Sequence, residues 1–186
     1  MRIGLISDTH IPGGASELPS ILQKAFSGVD MILHAGNVYM PQTLDTLELI
    51  APIKVSGGMD RDQGCADDPR VEETQVMEIE GHKIGMIHDL NLPGFGDRIY
   101  PGHVARVYKY NRSGSIIPED IFGVQVDIAI FGHTCTAMIE EHGDTLLINP
   151  GSPTLRNETR RIGTVAILEL TDKGRDAQII DLANLK

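Results

Sequence analysis

A chain of 186 residues, 41% hydrophobic and 23% charged, is long enough to bury its own core and reads as one domain over residues 1–186. Its net charge of -10 argues against a nonspecific nucleic-acid surface and against attachment to anionic lipid, both of which need clustered Lys and Arg. Cys65 and Cys135 make no disulfide framework, no apolar run approaches a membrane span, and MRIGLIS is too short for a signal peptide; a reducing, cytoplasmic compartment with no membrane attachment is expected.

RIGLIS, residues 2–7, reads as a buried strand, and Leu18, Ile21, Leu22, Ala25 and Phe26 then recur at helical spacing before Gly28. DMILH (30–34) is a second strand. Pro41 opens a helix carrying Leu44, Leu47 and Ile50, and PIKVS (52–56) is a third strand. Strand alternating with helix implies a right-handed parallel sheet. Further on, QVMEIE and KIGMIH flank Gly81-His82 as a hairpin. VDIAIF is another buried strand, and TAMIEE, TLLINP, GTVAILEL and AQIIDL are short strands divided by turn signals. Residues 91–124 form a long connection with a helix expected over Val104–Tyr110; a connection of that length is a candidate functional or mobile segment. The economical architecture is α/β, two packed sheets with helices outside.

The polar residues fall at successive strand ends. The first strand runs into Asp8 and His10, the second into Asn37, and the third into Gly57-Gly58-Met59-Asp60. KIGMIH ends at His88, followed by Asp89, and VDIAIF runs into Gly132-His133-Thr134-Cys135. The carboxyl ends of parallel strands form the ligand crevice of such sheets, so these side chains are expected to meet. Asp8 alone would be read as capping a turn, and a single His at a strand end as a hydrogen-bonded structural residue. Three such histidines with an Asp and a Cys, each beside Gly or a small residue, point to metal ligation. Other features are weaker. The acidic run at 60–68 lacks the register of a calcium loop and reads as solvated. Arg156, Arg160 and Arg161 either face a phosphate or are solvated surface. His34, His82, His103 and His142 read as structural or exposed, with His103 the one to test as an acid.

SDTH, HAGN, SGGMD, IHD, FGHTC and INPGSP occur in an order that resembles the calcineurin-like metallophosphoesterases, specifically the small YfcE-type phosphodiesterases, from residue 1 to about 170. The resemblance implies a four-layer α/β/β/α sandwich of two packed mixed sheets. It also implies one or two divalent metal ions (Mn, Zn or Fe) and hydrolysis of a small phosphorylated substrate, a phosphodiester or phosphomonoester, by metal-activated water. Asp8 and His10 match ligands of the first metal, and His88 and His133 match ligands of the second. Asn149 to Ser152 match a supporting turn that supplies no ligand. Three positions depart from the pattern. Asn37 stands where the family has a bridging aspartate, Gly58 where it has an asparagine ligand, and Cys135 where it has a histidine.

The departures weaken the second half-site most, because an amide screens two cations less well than a carboxylate and Gly58 offers no side chain. Cys135 is either a thiolate ligand, favouring Zn²⁺ or Fe²⁺, or a small buried thiol. Asp60 and Asp89 are expected beside the site as substitute ligands or acceptors, and Met59 cannot donate a proton. Against the enzyme stands a second reading, an inactive scaffold for protein–protein interaction like the small subunit of the retromer coat, which the sequence leaves open along with a homo-oligomeric state.

Overall fold

A computed structural model describes residues 1–57, 64–95, 99–107, 116–154 and 163–186. The expectations for Gly58, Met59, Asp60, Arg156, Arg160, Arg161 and the end of the 104–110 helix fall outside these residues. In chain order the elements are β1 (Arg2–Ile6), α1 (Leu22–Ala25), β2 (Met31–His34), α2 (Pro41–Glu48), β3 (Ile53–Ser56), β4 (Val71–Glu72), β5 (Thr74–Ile79) and β6 (His82–Ile87). They continue with α3 (His103–Val107), α4 (Glu119–Phe122), β7 (Ile128–Ile130), β8 (Met138–His142), β9 (Thr145–Asn149), β10 (Thr164–Thr171) and β11 (Gly174–Asp181), ending in a 3₁₀ turn, Leu182–Asn184.

Two mixed sheets result. The first has the order β11-β10-β1-β2-β3-β4, with β1 to β4 parallel and β10 and β11 folded back antiparallel. The second has the order β5-β6-β7-β9-β8, with a parallel centre and an antiparallel hairpin at each edge. Side-chain alternation along each strand decides the layers. Ile3 and Leu5 of β1 face Ile84, Met86, Ile128 and Ile148 of the second sheet in the central core. Ile6, Ile32 and Val55 point the other way, onto Phe26, Leu44 and Leu47. On the far side of the second sheet, Ala129 and Leu147 are covered by Leu92, Ile99, Val104 and Phe122. This is the α/β/β/α arrangement, with thin outer layers. Among the described residues no helix is long and apolar enough to cross a membrane.

Glycine sets the depth of both outer layers. A Cβ on Gly4 would lie 2.9 Å from the Phe26 ring, and one on Gly85 would lie 2.8 Å from the Phe122 ring. Each phenyl therefore lies flat on a strand that only glycine leaves bare.

Four details differ from the sequence reading. The residues at helical spacing from Leu18 to Phe26 form a regular helix only over Leu22–Ala25, entered through a tight turn in which Leu22 N–H donates to Pro19 C=O at 3.0 Å. Pro41 is the first residue of α2, as expected, but the helix ends at Glu48 and leaves Ile50 beyond it. The strand β4 and the helix α4 are too short to show a periodicity in the sequence. In the 91–124 connection, the described parts are packed down: Leu92, Ile99, Val104, Ile116, Ile117 and Phe122 are all buried in the outer core. Gly102 N–H donates to Glu140 Oε1 at 2.5 Å, which ties the connection to β8.

Candidate metal centre

The parallel strands of both sheets end on the same side, and hydrogen bonds stitch those ends together. Asp8 N–H donates to Gly36 C=O at 2.8 Å, His10 N–H to Asn37 C=O at 2.9 Å, and Gly132 N–H to His88 C=O at 2.9 Å. Between the sheets, Ser56 Oγ donates to Met86 C=O at 2.6 Å. Asp8, His10, Asn37, Tyr39, His133 and Cys135 all have left-handed backbone, with φ between 47° and 75°. Non-glycine residues rarely adopt that region, and a cluster of them marks a place where geometry is held against local preference.

The first group is built on the turns after β1 and β2. Asp8 is fully buried, and Asn37 Nδ2 donates to its Oδ1 at 3.1 Å while lying 3.0 Å from His10 Nε2. Cys135, from the loop after β7, completes the set: Asp8, His10 and Cys135 each offer a ligand atom, all within 4.8 Å of one another. Among the described residues this is the one such cluster of three His, Cys, Asp or Glu side chains. Three of its buried polar atoms have no hydrogen-bond partner: Asp8 Oδ2, His10 Nδ1 and Asn37 Oδ1. An orphaned buried acceptor costs about 1–3 kcal/mol, more when charged. A divalent cation removes that cost for the two oxygens, Asp8 Oδ2 and Asn37 Oδ1, and the donor set of carboxylate, imidazole and thiol fits one, with the sulfur favouring Zn²⁺ or Fe²⁺ over Mg²⁺. Gly132 keeps the approach clear, since a Cβ there would lie 2.7 Å from Asp8 Oδ2.

The Cys135 thiol is pushed up to about 12, first by burial and then by the Asp8 carboxylate beside it. At neutral pH it stays protonated, and its Sγ donates to His133 C=O at 3.7 Å. Ligation requires release of that proton, which a divalent charge at this distance favours.

The second group is a pair of imidazoles. His88 and His133 stand with ring centroids 5.6 Å apart and planes at 89°. His88 Nδ1–H donates to Ala35 C=O at 2.7 Å, which leaves Nε2 as the ring's free lone pair. A backbone carbonyl bound to one ring nitrogen is the usual way of aiming the other at a metal. Asp89 lies outside the three-residue group, as do His88 and His133 themselves.

Around both groups lies a buried hydroxyl and amide frame that the sequence reading reached only in part. Asn149 Nδ2 donates to Gly132 C=O at 2.7 Å and to Thr134 Oγ1 at 3.1 Å, and its Oδ1 accepts from Gly151 N–H at 2.9 Å. That is the supporting role expected of the NPGS turn. Ser152 Oγ donates to Asp8 C=O at 2.7 Å, Thr154 Oγ1 to Thr9 C=O at 2.6 Å, and Ser7 Oγ to Gly151 C=O at 2.7 Å. The Tyr39 ring packs against His10 at 5.2 Å. His34 is fully buried, as a structural histidine would be, and burial lowers its pKa to about 3, with His88 and His10 adding to the shift. His82, His103 and His142 lie elsewhere, bonded to Thr171 C=O, packed on Tyr100 and paired with Glu140 respectively. Contacts among the described residues give no support to His103 as an acid at this site.

These strand-end loops carry the signature of a recognised class. Residues 1–173 match the calcineurin-like phosphoesterase superfamily domain, and the chain belongs to that superfamily, whose members generally bind divalent metals. The chain is 37% identical over 183 residues to a probable metallophosphoesterase of Methanothermobacter thermautotrophicus, covering 97% of this chain and 92% of that one. It is 39% identical over 158 residues to another from Methanocaldococcus jannaschii, covering 83% and 69%. Among solved structures, the zinc complex of Vps29 from Entamoeba histolytica superposes with a TM-score of 0.66 at 23% identity, over 98% of this chain and 99% of that chain. A predicted phosphoesterase from Streptococcus pneumoniae gives 0.60 at 21%, over 97% and 89%. Both carry the same fold.

Proposed function

We propose that this chain is a metal-dependent phosphoesterase, acting on a phosphodiester or phosphomonoester, with Asp8, His10 and Cys135 holding one divalent cation and His88, His133 and Asn37 contributing to a weaker second site. The observation that carries the reading is the fully buried Asp8 carboxylate, its Oδ2 without a partner, set within 4.8 Å of imidazole and thiol donors. The bound cation supplies Lewis acidity towards a phosphoryl oxygen and lowers the pKa of water.

The chain's own residues supply the rest. Asp8 brings the negative charge, and the Ser152 and Thr154 hydroxyls anchor the backbone carbonyls of Asp8 and Thr9. Ala35 C=O selects the His88 tautomer. Asn37 must turn its amide, because Nδ2 now faces Asp8 and His10 and only Oδ1 can coordinate. The net charge of -10 repels an anionic phosphate, so a cation at the strand ends is also what draws substrate in.

Loading the untagged protein with Co²⁺ tests the ligand set: a thiolate-to-cobalt charge-transfer band is expected, abolished by Cys135→Ser and retained in Cys65→Ser. Turnover of a generic phosphodiester and a phosphomonoester with Mn²⁺ or Zn²⁺ tests the activity. Protein that takes up no cation refutes the reading. Protein that binds cation yet hydrolyses neither ester replaces it with the interaction-scaffold reading, with which the Vps29 neighbours are consistent.

A further inference from the structure

His34 closes β2 beneath the candidate centre, with no solvent exposure. Its Nδ1 accepts from Gly36 N–H at 3.1 Å, so its proton sits on Nε2. Nε2–H then donates to Thr9 Oγ1 at 3.3 Å, and Thr9 Oγ1 donates to Asn37 C=O at 3.3 Å. One ring thus joins the turn after β1, which carries Asp8 and His10, to the turn after β2, which carries Asn37. The second turn also reaches the other half-site: Ala35 C=O accepts from His88, and a Cβ on Gly36 would lie 2.6 Å from His88 Nδ1. Only glycine therefore leaves room for the His88 ring against this turn.

A bland explanation is that His34 merely fills space. Its neighbours Leu33 and Ala35 are fully buried, and an apolar side chain would occupy the position without the desolvation cost of an imidazole. Both ring nitrogens are instead used, each on a different turn, and the ring stays neutral throughout the neutral range. It acts as a fixed donor–acceptor strut.

We propose that His34 is a positioning residue for the cation site, holding the Asp8–His10 turn in register with the Asn37 turn and, through Ala35 and Gly36, with His88. The inference rests on the proposed metal-dependent function and adds a residue to it. The test is titration of the full chain with Mn²⁺ alone, read by calorimetry, alongside the thermal midpoint of each protein in chelator. His34→Leu cuts both arms of the strut and is expected to weaken Mn²⁺ binding about 10–100-fold, the usual effect of losing an outer partner of a metal ligand. His34→Gln retains a donor towards Thr9 and His34→Asn an acceptor for Gly36 N–H, so each should recover part of the affinity. Thr9→Val should weaken binding in the same direction with the imidazole intact. Combined with His34→Leu it should add little, because both act through one relay. A residue that only fills the core would instead give midpoint losses without this pattern of affinity and rescue. If the parent binds Mn²⁺ and His34→Leu binds it within about threefold, the inference is overturned. Should His34→Leu fail to fold, parent-like affinity in Thr9→Val, His34→Gln and His34→Asn overturns it equally. A parent that binds no cation refutes the functional reading itself, and this inference falls with it.

Discussion

Replacing Asn37 by Asp should destabilise the protein without metal and enlarge the stabilisation it gains from metal. Asn37 Nδ2 donates to Asp8 Oδ1 at 3.1 Å, and both residues are buried. The substitution removes a donor to a carboxylate, worth about 1.5–3 kcal/mol. It also sets a second carboxylate against the first. At 3.1 Å and an effective dielectric of about 20, the repulsion approaches ~5 kcal/mol. The protein can escape by protonating the introduced carboxyl, at a cost near pH 7 of ~4 kcal/mol, which is about 1.36 kcal/mol for each unit above a carboxyl pKa of about 3.9. The proton also restores a hydrogen bond to Asp8, so a net loss of about 2–4 kcal/mol is expected in chelator.

The introduced group has a folded pKa raised above its unfolded value. Its penalty is therefore absent below the unfolded pKa, about 3.9, grows as the pH rises from there to the folded pKa, and levels off above it. With excess Mn²⁺ the same carboxylate becomes an anionic ligand, and a cation at 100 times its dissociation constant stabilises by about 2.7 kcal/mol. Urea denaturation at pH 5 and pH 7, with chelator and with Mn²⁺, reads all four corners. Asn37→Asp should be weaker than the parent in chelator, less so at pH 5, and should gain more from Mn²⁺ than the parent does. A variant as stable as the parent in chelator, or one that gains no more from Mn²⁺, refutes the assignment of Asn37 to the cation site.

Restoring the family pattern with Asn37→Asp, Gly58→Asn and Cys135→His together should raise Mn²⁺-dependent turnover of a generic phosphodiester on the order of a hundredfold, as steady-state rates will show. Anomalous scattering from metal-soaked crystals should find the Asp8–His10 site filled before the His88–His133 site; equal occupancy would mean that Asn37 bridges adequately or that Asp60 or Asp89 has replaced the missing donors. Gly132→Ala places a Cβ 2.7 Å from Asp8 Oδ2 and 2.9 Å from Ala35 C=O, and should both weaken cation binding and lower the thermal midpoint, measured on the same sample. At a distance from the site, Arg70 pairs with Asp68, Asp45 and Glu48, and its hydrogen bond to Asp68 lowers that carboxyl's pKa. The stability this pair contributes is present above the unfolded carboxyl pKa and is lost as pH falls through the lowered folded value, so Asp68→Asn should flatten the acid limb of the stability–pH curve.

The ends of β1, β2, β6 and β7 were legible in the sequence because each apolar run breaks abruptly into polar residues and glycine. Parallel pairing then sends those ends to one side. The meeting of Asp8 and His10 with Cys135 also needs the two sheets to pack face to face, with β1 and β7 in different sheets. Which way the Asn37 amide faces was not legible, since it is decided by what surrounds the side chain once folded. Thr9 and His34 were not legible as partners for a related reason: a polar residue inside an apolar strand pattern reads as tolerated until its contacts are seen. The connection after β6 reads from its length as a functional or mobile segment, and its burial was not legible: in its described parts Leu92, Ile99, Val104 and Phe122 are buried on the outer face of the second sheet.

On the proposed reading, the two half-sites are unequal for a reason of charge. Two divalent cations held together repel strongly at any interior dielectric, and a carboxylate between them is the usual screen. Here the residue that the resemblance puts at the bridging position, Asn37, is a neutral amide, and its nitrogen already serves Asp8 and His10 as a hydrogen-bond donor. The negative charge lies instead on one side, in Asp8 and in the thiol of Cys135 once it has lost its proton. Such a distribution favours one cation held tightly over two shared, with the His88–His133 pair left to a weaker ion. On that reading the altered residues at positions 37 and 135 act in concert: charge given up at the bridging position is regained at the first half of the site, and that exchange would separate this chain's chemistry from the pattern its motifs otherwise follow.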